Sequence, residues 1–552
     1  MRGASPAAVV AAAAVAAYAR SAGHGFLFWD DRAFIAENPL IVHPSAASLL
    51  ALWTRPLHDL YAPLTYTLWE LLAALFGPGP RAFHLTNVAL HALDAGLVLA
   101  LLRQLVGEGR ATAALAGALL FAVHPVQTEA VAWASETKDL LSALCSLLAL
   151  RWYLVSRERE DHRAYLRASI AFACALLAKP TAVVAPALLV IVNRGLYRRG
   201  WRDSVRGLVP WVVAATGCVL LAAHVQPAAE RLRYVAPVWL RPVLALDALG
   251  FYLGKILLPL HLVPDYGRTS QSLAASGALA WTWMPAAVLL AVAWSLRRRL
   301  RWLAVAVALF VAALLPVLGL VPFDFQYYSN VADHYLYLAM LGPALGLAFA
   351  YERIPGRRVL VPAALAVLLA LSVAQASRWK DDATLYAHTL AVNPRSLVAH
   401  NNLGQALEER GEYEAALAHY RAALDADPGD ANVLNNVGNV LYKEGRYDDA
   451  IGHYTDVLGR SGVPAMTAAR MHNNLGAAYI KKEMYDQALV ELRRAITLDP
   501  GYLEPYYNLG SLLMAFGRYA EAAEVLRAGL VVDPGHAALR SQLDLAVSRS
   551  GR

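Results

Sequence analysis

Two neighbouring carboxylic acids, Asp30 and Asp31, are the residues best suited to chemistry in this chain of 552 residues. They follow the apolar run Phe26–Trp29, at the end of the first hydrophobic stretch. Ionisable groups placed beside hydrocarbon are costly, and where they occur they commonly serve function. A carboxylate in that position can take a proton as a general base. The plainer interpretation is that the pair ends a helix in water.

Other polar residues that could act with this pair occur at further breaks between apolar segments. Lysine or arginine would hold a phosphate, a carboxylate would take a proton, and tyrosines would line a sugar site. The candidates for binding a phosphate-linked sugar are Arg81, His84, His124, Glu129, Lys138, Lys179, Asp333, His334, Tyr335 and Tyr337. Each has a plainer interpretation when taken singly: the histidines suit hydrogen bonding at an interface, and Lys179 could extend its amine toward water.

Other kinds of chemistry find little support in the sequence. It contains no glycine-rich phosphate loop and no nucleophile elbow, so nucleotide chemistry is not expected. Asp30 and Asp31 could hold a divalent cation, but no third oxygen ligand is evident from the spacing, which leaves the metal undecided. No cofactor is predicted with certainty.

The composition indicates a membrane protein with a second domain in a different solvent. Hydrophobic residues make up 58% of the chain, charged residues only 16%, and the mean hydropathy is +0.40. The net charge is +11 over residues 1–377 and −4 over residues 378–552. Arginines in loops that face anionic lipid explain the basic first part, so no nucleic-acid partner is expected.

Eleven apolar stretches approach the length of a membrane-spanning helix. The interrupted segment 239–262 is predicted to lie on the membrane or dip into it, because Pro242 and Pro259 break it. The spans are predicted at 6–28, 82–105, 112–133, 138–155, 164–178, 181–193, 208–224, 278–296, 302–321, 334–351 and 359–377.

The arginine-rich loops set the orientation of these spans. With eleven spans and a cytoplasmic N-terminus, the loops holding Arg103, Arg157, Arg194, Arg297 and Arg353 all fall on the cytoplasmic side. Asp30, Asp31 and the other candidates then lie on the outer side of the cell membrane, together with everything after residue 377.

Residues 395–534 carry a repeat with a period of 34 residues. Asn401–Gly404 recurs at Asn435–Gly438 and at Asn473–Gly476, and a shorter form ends in Gly510. Helix-ending prolines keep the same spacing, at Pro394, Pro428, Pro500 and Pro534. The pattern resembles the tetratricopeptide repeat, which stacks helix pairs into an α-solenoid with a concave groove. The repeats are predicted near 397–430, 431–464, 469–502 and 503–536.

One asparagine recurs on the first helix of every repeat, as Asn402, Asn436, Asn474 and Asn508. A primary amide both donates and accepts, so a row of them could hold an extended acceptor peptide without reading its side chains. An equally good interpretation is that asparagine suits the consensus of the repeat.

The fold is therefore predicted to be all-α: a polytopic membrane helix bundle over residues 1–377, then a repeat solenoid over residues 378–552. Several motifs in this frame resemble the transmembrane and tetratricopeptide-repeat protein O-mannosyltransferases. They are Phe28-Trp29-Asp30-Asp31 with Asn38-Pro39, Phe83-His84-x-x-Asn87-x-x-x-His91-Ala92, His124-Pro125-Val126-x-Thr128-Glu129-Ala130-Val131 and Tyr335-Leu336-Tyr337-Leu338. The short array and the Ala/Arg-rich composition are closer to a bacterial relative than to a eukaryotic one.

The resemblance implies a C-type glycosyltransferase (GT-C) that uses a polyprenyl-phosphate-linked sugar on the non-cytoplasmic side. It makes Asp30 or Asp31 the general base of an inverting displacement, without identifying which. One departure is Ala62-Pro63-Leu64, where the family often has Arg-Pro-Leu, although Arg55-Pro56-Leu57 lies just upstream.

Three functions stay open at this point. The first is transfer of a sugar such as mannose to Ser/Thr of a protein that the repeats present. The second keeps the chemistry but transfers to a glycan or a lipid. The third is a membrane-anchored repeat scaffold without catalysis, which explains the repeats but not the acids and tyrosines that recur at one membrane face.

Overall fold

The computed structural model describes residues 5–57, 59–225, 232, 234–533 and 535–550. Within these ranges the side chain of Glu108 is not described. Over these residues the protein is helical, and the one β-type pairing described is an isolated bridge between Leu57 and Leu60. The predicted all-α class is confirmed. The chain packs as two compact units, Met1–Pro394 and Arg395–Arg552.

The first unit is a bundle of apolar helices. Alanine, leucine and valine dominate them, and alanine and leucine are strong helix formers. Its helices of nine or more residues are Pro6–Tyr18, Ala46–Thr54, Pro63–Phe76, Pro80–Val106, Ala111–Val123, Thr137–Arg159, His162–Ala178, Ala185–Gly195, Val209–Val225, Arg241–Leu257, Met284–Leu296, Arg301–Leu314, Leu341–Ala350, Arg357–Ala376 and Asp382–Val392.

Among the described residues, six helical segments are long and apolar enough to cross a membrane. A seventh is the pair Ala111–Val123 and Pro125–Ala132, bent by 48° at its break, and the shorter apolar helices Pro180–Gly195 and Arg301–Val317 add to these. The six are Pro6–Gly23, Pro80–Val106, Ala134–Arg159, Trp201–Val225, Ala278–Leu296 and Arg357–Trp379. The membrane-helix character is thus found, whereas the count of eleven spans stays a prediction.

The first apolar stretch ends as a helix earlier than the sequence predicts. The α-helix Pro6–Tyr18 continues as a 3-10 turn to Gly23, and residues 24–28 are not helical. Asp31–Ala36 then forms a π-helical turn. Asp30 and Asp31 therefore lie beyond the end of the first helix, where the π-helical turn begins. We call residues 24–31 the acidic loop.

The second unit is a stack of antiparallel helix pairs. Its helices are Leu397–Glu409, Tyr413–Ala426, Ala431–Lys443, Tyr447–Leu458, Ala465–Lys481, Tyr485–Leu498, Glu504–Ala515, Tyr519–Val532 and Ala537–Ser550. Glycine is required inside the pairs because a Cβ at Gly404 would overlap the ring of Tyr420, and one at Gly438 the ring of Tyr454. The predicted repeat solenoid is confirmed, while Pro534 lies outside the described residues.

Packing and sequence divide the chain at different points. The sequence places the boundary at residue 377, where the apolar character stops, but the packing places it at Pro394. The reason is the helix Asp382–Val392, whose Leu385 and Tyr386 are buried against the first unit.

Candidate active site

Asp31 is fixed inside the first unit by two backbone amides. One carboxylate oxygen accepts from Leu27 N (3.1 Å) and the other from Ser135 N (2.8 Å), and the side chain is fully buried. Burial raises the pKa of Asp31 to about 7, although the two amide bonds favour the charged form. Asp31 thus joins the acidic loop to the segment before Thr137–Arg159.

Asp30 is the accessible member of the pair. Its side chain keeps 28% of its exposure, and one carboxylate oxygen lies 3.1 Å from the ammonium of Lys138. The same ammonium lies 2.9 Å from the buried Glu136. A half-buried carboxylate can meet a hydroxyl from outside, whereas the carboxylate of Asp31 cannot without rearrangement.

A second lysine extends this set of charges. Lys179 lies 2.6 Å from Asp139 and 3.7 Å from Glu136. Its position follows from the helix His162–Ala178, which ends just before it, while Lys138 lies in the first turn of Thr137–Arg159. We call these five residues, Asp30, Glu136, Lys138, Asp139 and Lys179, the outer cluster, after the side of the membrane that the sequence predicts for them.

A hydrogen-bonded chain of four residues lies beside the outer cluster. His334 Nδ1 and Glu129 Oε1 are 2.6 Å apart, and the backbone amide of Asp333 donates to Glu129 (3.2 Å). The hydroxyl of Tyr266 donates to the Asp333 carboxylate, at 2.8 and 2.9 Å from its two oxygens. Burial raises the pKa of Asp333 to about 7, and the Tyr266 hydroxyl opposes that rise.

The described residues include one group that could hold a metal ion, Glu136, Asp139 and His334, whose ligand atoms lie within 4.8 Å of one another. Two carboxylates and an imidazole would suit a small divalent cation. However, both carboxylates already pair with the ammonium groups of Lys138 and Lys179, and a cation would have to displace them. The donor set therefore fits a charge-paired cluster better than a metal centre.

Five of the predicted binding residues belong neither to the outer cluster nor to the hydrogen-bonded chain beside it, and three of these five are His84, His124 and Arg81. His84 Nε2 contacts the carbonyl of Gly25 (3.3 Å) and so supports the acidic loop. His124 caps the short helix Pro125–Gln127 through Nδ1, and its Nε2 contacts the carbonyl of Ile256 (3.0 Å). Arg81 is exposed in the first turn of Pro80–Val106. Donor binding by these residues stays a prediction.

The two predicted tyrosines differ in surroundings. Tyr337 directs its hydroxyl into the bundle, donating to Asp94 (2.8 Å) and contacting His91 Nδ1 (2.8 Å). The Tyr335 ring packs at 4.2 Å from that of His334, between ring centroids. Both tyrosines line a cavity of about 40 Å³ that Asp139 and His334 also line. That volume holds a water molecule or two.

Aromatic side chains surround Trp29, the residue before Asp30. The Trp29 ring lies 5.3 Å from that of Trp133, 6.2 Å from a stacked Phe325 and 5.8 Å from Tyr328, between centroids. Trp29, Phe325 and Tyr328 are only partly buried. Aromatic faces of this kind contact the C–H surfaces of sugars and peptide side chains.

An apolar cavity of about 480 Å³ lies between the helices His162–Ala178 and Val209–Val225. Phe172, Leu176, Trp211 and Leu221 line it, and so does Pro180, the residue after Lys179. The cavity therefore continues to the end of the chain segment that supplies the second lysine of the outer cluster.

In the second unit, the recurring asparagines bond from one repeat to the next. The amide of Asn436 donates to Asn401 (2.9 Å), that of Asn474 to Asn435 (3.1 Å), and that of Asn508 to Asn473 (2.9 Å). Asn402 is buried and accepts from Asn401 (3.0 Å). These bonds give the amides a structural use between repeats, and acceptor binding by them stays a prediction.

Sequence reasoning did not select every residue of this site. Glu136 shares a short string with Lys138 and Asp139, a signal that could have been used. Tyr266 follows the interrupted segment 239–262, and its contact with Asp333 spans 67 residues. Asp94, buried in a membrane-type helix, was visible as an intramembrane acid.

Apolar helices of membrane-spanning length and a helical repeat solenoid together define a membrane protein with a second, repeat-containing unit. A family model described as dolichyl-phosphate-mannose-protein mannosyltransferase matches residues 61–226. Tetratricopeptide-repeat models match residues 395–461, 437–502 and 479–543. The acidic loop lies before the matched part of the first unit.

The chain is also similar to known proteins over part or most of its length. The chain is 33% identical to protein O-mannosyl-transferase Tmtc1 of Drosophila melanogaster over 175 residues, 30% of the chain and 20% of that protein. It is 24% identical to protein O-mannosyl-transferase TMTC3 of Mus musculus over 573 aligned residues, 92% of the chain and 58% of that protein. The crystal structure of the MamA protein is 24% identical over 28% of the chain and 82% of that structure, with a TM-score of 0.24.

These matches support assignment of the chain to a TMTC-like family, named after its transmembrane and tetratricopeptide-repeat parts. The chain covers only part of the length of these relatives, 20% of Tmtc1 and 58% of TMTC3.

Proposed function

We propose that the protein transfers a sugar, with mannose the first candidate, from a polyprenyl phosphate to Ser or Thr hydroxyls of proteins on the non-cytoplasmic side of the cell membrane. The observation that carries the proposal is Asp30, a partly exposed carboxylate held beside Lys138, with the ring of Trp29, the preceding residue, in contact with that of Trp133. The O-mannosyl-transferase names of the relatives support the reaction class.

Asp30 acts as the general base in this proposal, and Asp31 positions it. Asp30 takes the proton of the acceptor hydroxyl, and the hydroxyl oxygen bonds to the sugar carbon C1. The bond between C1 and the phosphate oxygen breaks, and the electron pair leaves with the polyprenyl phosphate. Attack from the face opposite the phosphate inverts the configuration at C1.

The lysines of the outer cluster serve the phosphate. A donor phosphate would replace Glu136 as the partner of Lys179, since their 3.7 Å contact is the longest ion pair in the cluster. The isoprenoid chain would occupy the apolar cavity beside Pro180. An apolar cavity that reaches the residue next to a lysine would suit a ligand with a phosphate head and a hydrocarbon tail.

The repeats would gather protein acceptors, and their stacked helices provide a concave surface for that purpose. The orientation argued from the arginine loops would put these repeats on the side of the outer cluster. It would also leave the N-terminus in the cytoplasm.

The decisive experiment is transfer by the purified full-length protein in lipid nanodiscs, supplied with mannosyl-phosphoryl-polyprenol. A Ser/Thr-containing peptide, an oligosaccharide and a lipid acceptor are offered separately, and products are read by mass spectrometry. Hexose on the peptide hydroxyl supports the proposal. Hexose only on the oligosaccharide or lipid would keep the chemistry and change the acceptor. No product with any acceptor, alongside stable capture of partner proteins, would favour the scaffold.

A further inference from the structure

The acidic loop is held by a helix that lies more than 350 residues away in sequence. The backbone N–H of Phe28 donates to Asp382 Oδ1 at 2.7 Å, and the hydroxyl of Tyr386 donates to the carbonyl of the same Phe28. A third bond runs from Gly25 N to the Lys380 carbonyl at 3.2 Å. Both backbone polar groups of Phe28, two residues before Asp30, are thus tied to one helix turn.

This helix, Asp382–Val392, is itself firmly placed, and we call it the docking helix. Its first turn is capped by Asp381, whose side chain accepts from Thr384 N at 2.9 Å. Leu385 and Tyr386 are buried, and Trp379 just before the helix packs against Trp133 with 5.8 Å between ring centroids. The same compact unit contains the docking helix and the acidic loop.

The acidic loop depends on such outside contacts because its residues 24–28 are not helical. Residues 24–28 lie between the 3-10 turn that ends at Gly23 and Asp30, the N-cap of the π-helical turn Asp31–Ala36. A backbone of that kind samples several directions unless its amide and carbonyl groups are bound. The direction of the Asp30 side chain therefore depends on how Phe28 is held as well as on the contact with Lys138.

We propose that Asp382 and Tyr386 are positioning residues for the sugar transfer, because together they fix the peptide groups that orient Asp30. This inference rests on the proposed function and adds to it residues that follow the membrane spans in the chain. A reacting group must be held within about 0.5 Å of its productive position. A displacement of 1 Å can cost about 10²-fold in rate.

The test uses the full-length protein in nanodiscs and four single variants. Tyr386→Phe removes one hydroxyl, and Asp382→Ala removes the acceptor for Phe28 N. Asp382→Asn keeps an acceptor oxygen and serves as the conservative rescue. Tyr165→Phe is the matched control, because its hydroxyl also donates to a backbone carbonyl, that of Gly207, at 2.8 Å. Tyr165 is far from the outer cluster along its helix, because it lies about 20 Å from Ala178, the residue before Lys179, at about 1.5 Å per residue.

For Tyr386→Phe and Asp382→Ala we expect kcat to fall about 10- to 100-fold while KM for donor and acceptor stays within twofold. Asp382→Asn should recover most of the rate, and Tyr165→Phe should match the unchanged protein. Hydrogen exchange at the Phe28 amide should speed up in Asp382→Ala only. A merely structural role would lower the folded amount and leave kcat per folded molecule unchanged.

Values of kcat within twofold of the unchanged protein for Tyr386→Phe would overturn the inference. An equal loss in Tyr165→Phe would do the same. If Asp382→Ala fails to fold, Tyr386→Phe alone decides, because it removes a single oxygen. Full transfer by Asp30→Asn would instead contradict the proposed function. An inactive Asp30→Asn together with a fully active Tyr386→Phe would contradict only the positioning role.

Discussion

Lys138 and Asp30 meet at 3.1 Å although 108 residues separate them in the chain. The ammonium is shared with Glu136 at 2.9 Å, so the loop carrying Asp30 is tied to the first turn of the helix Thr137–Arg159. A buried ammonium shared between two carboxylates is held strongly, because its attraction to each carboxylate offsets part of the free energy of removing the ammonium from water. The contact fixes the accessible acid beside the other charges of the outer cluster.

The first prediction concerns the pH dependence of stability. Asp31 has a pKa of about 7 in the folded protein against 3.8 for an unperturbed aspartic acid. Between these pH values the folded state keeps a proton that the unfolded state has lost. Stability contributed by Asp31 is therefore greatest below about pH 4 and falls as the pH rises toward about 7.

Thermal unfolding in detergent between pH 4.5 and 8 would measure this decline. Asp333, also with a pKa of about 7, acts in the same direction, so the variant Asp31→Asn should flatten the decline in part. An equal decline in the variant and the unchanged protein would contradict the assignment. The variant should also be destabilised at every pH, by about 1–3 kcal/mol, because its NH₂ group would face a backbone N–H.

The second prediction separates buried from exposed ion pairs. Lys179→Ala leaves the carboxylate of Asp139 in a buried site without its 2.6 Å partner and should cost about 3–5 kcal/mol. Lys482→Ala, which breaks the 2.9 Å pair with the exposed Asp448, should cost less than about 1 kcal/mol. Chemical denaturation of the two variants would measure the difference, and similar losses would show that the outer cluster is solvated.

The third prediction concerns close packing inside the repeats. Gly438→Ala would drive a methyl group into the Tyr454 ring and should destabilise the second unit by about 1–3 kcal/mol. Gly452→Ala is the control, because nothing lies within 4 Å of its added carbon and alanine favours a helix. It should be neutral or stabilising by up to about 1 kcal/mol. Equal thermal shifts for both variants would contradict the packing.

Much of the fold could be predicted from the sequence because it depends on local patterns. Apolar runs identify the helices of the first unit, and the recurring Asn-Asn-x-Gly motif identifies the repeats, since both depend on nearest neighbours along a helix. The end of the first helix was harder, because the turn at Gly23 depends on contacts that the acidic loop makes elsewhere.

The candidate site could be predicted from the sequence only in part. Asp30, Lys138 and Lys179 could be placed on one face because each follows or begins an apolar span. The pairing of Glu136 with both lysines depends on the 3-10 turn Ala134–Glu136 and on where the helix His162–Ala178 ends. The bonds that join Asp382 and Tyr386 to Phe28 could not be predicted from local sequence patterns, since they join residues 354 and 358 positions apart.

The most direct test of the account is the turnover of Asp30→Asn in the nanodisc assay with mannosyl-phosphoryl-polyprenol and a Ser/Thr peptide. Asparagine keeps the size of the side chain but cannot take a proton at neutral pH. Loss of a general base should lower kcat by about 10²- to 10⁴-fold, with the thermal midpoint little changed. Turnover within twofold of the unchanged protein would contradict the account.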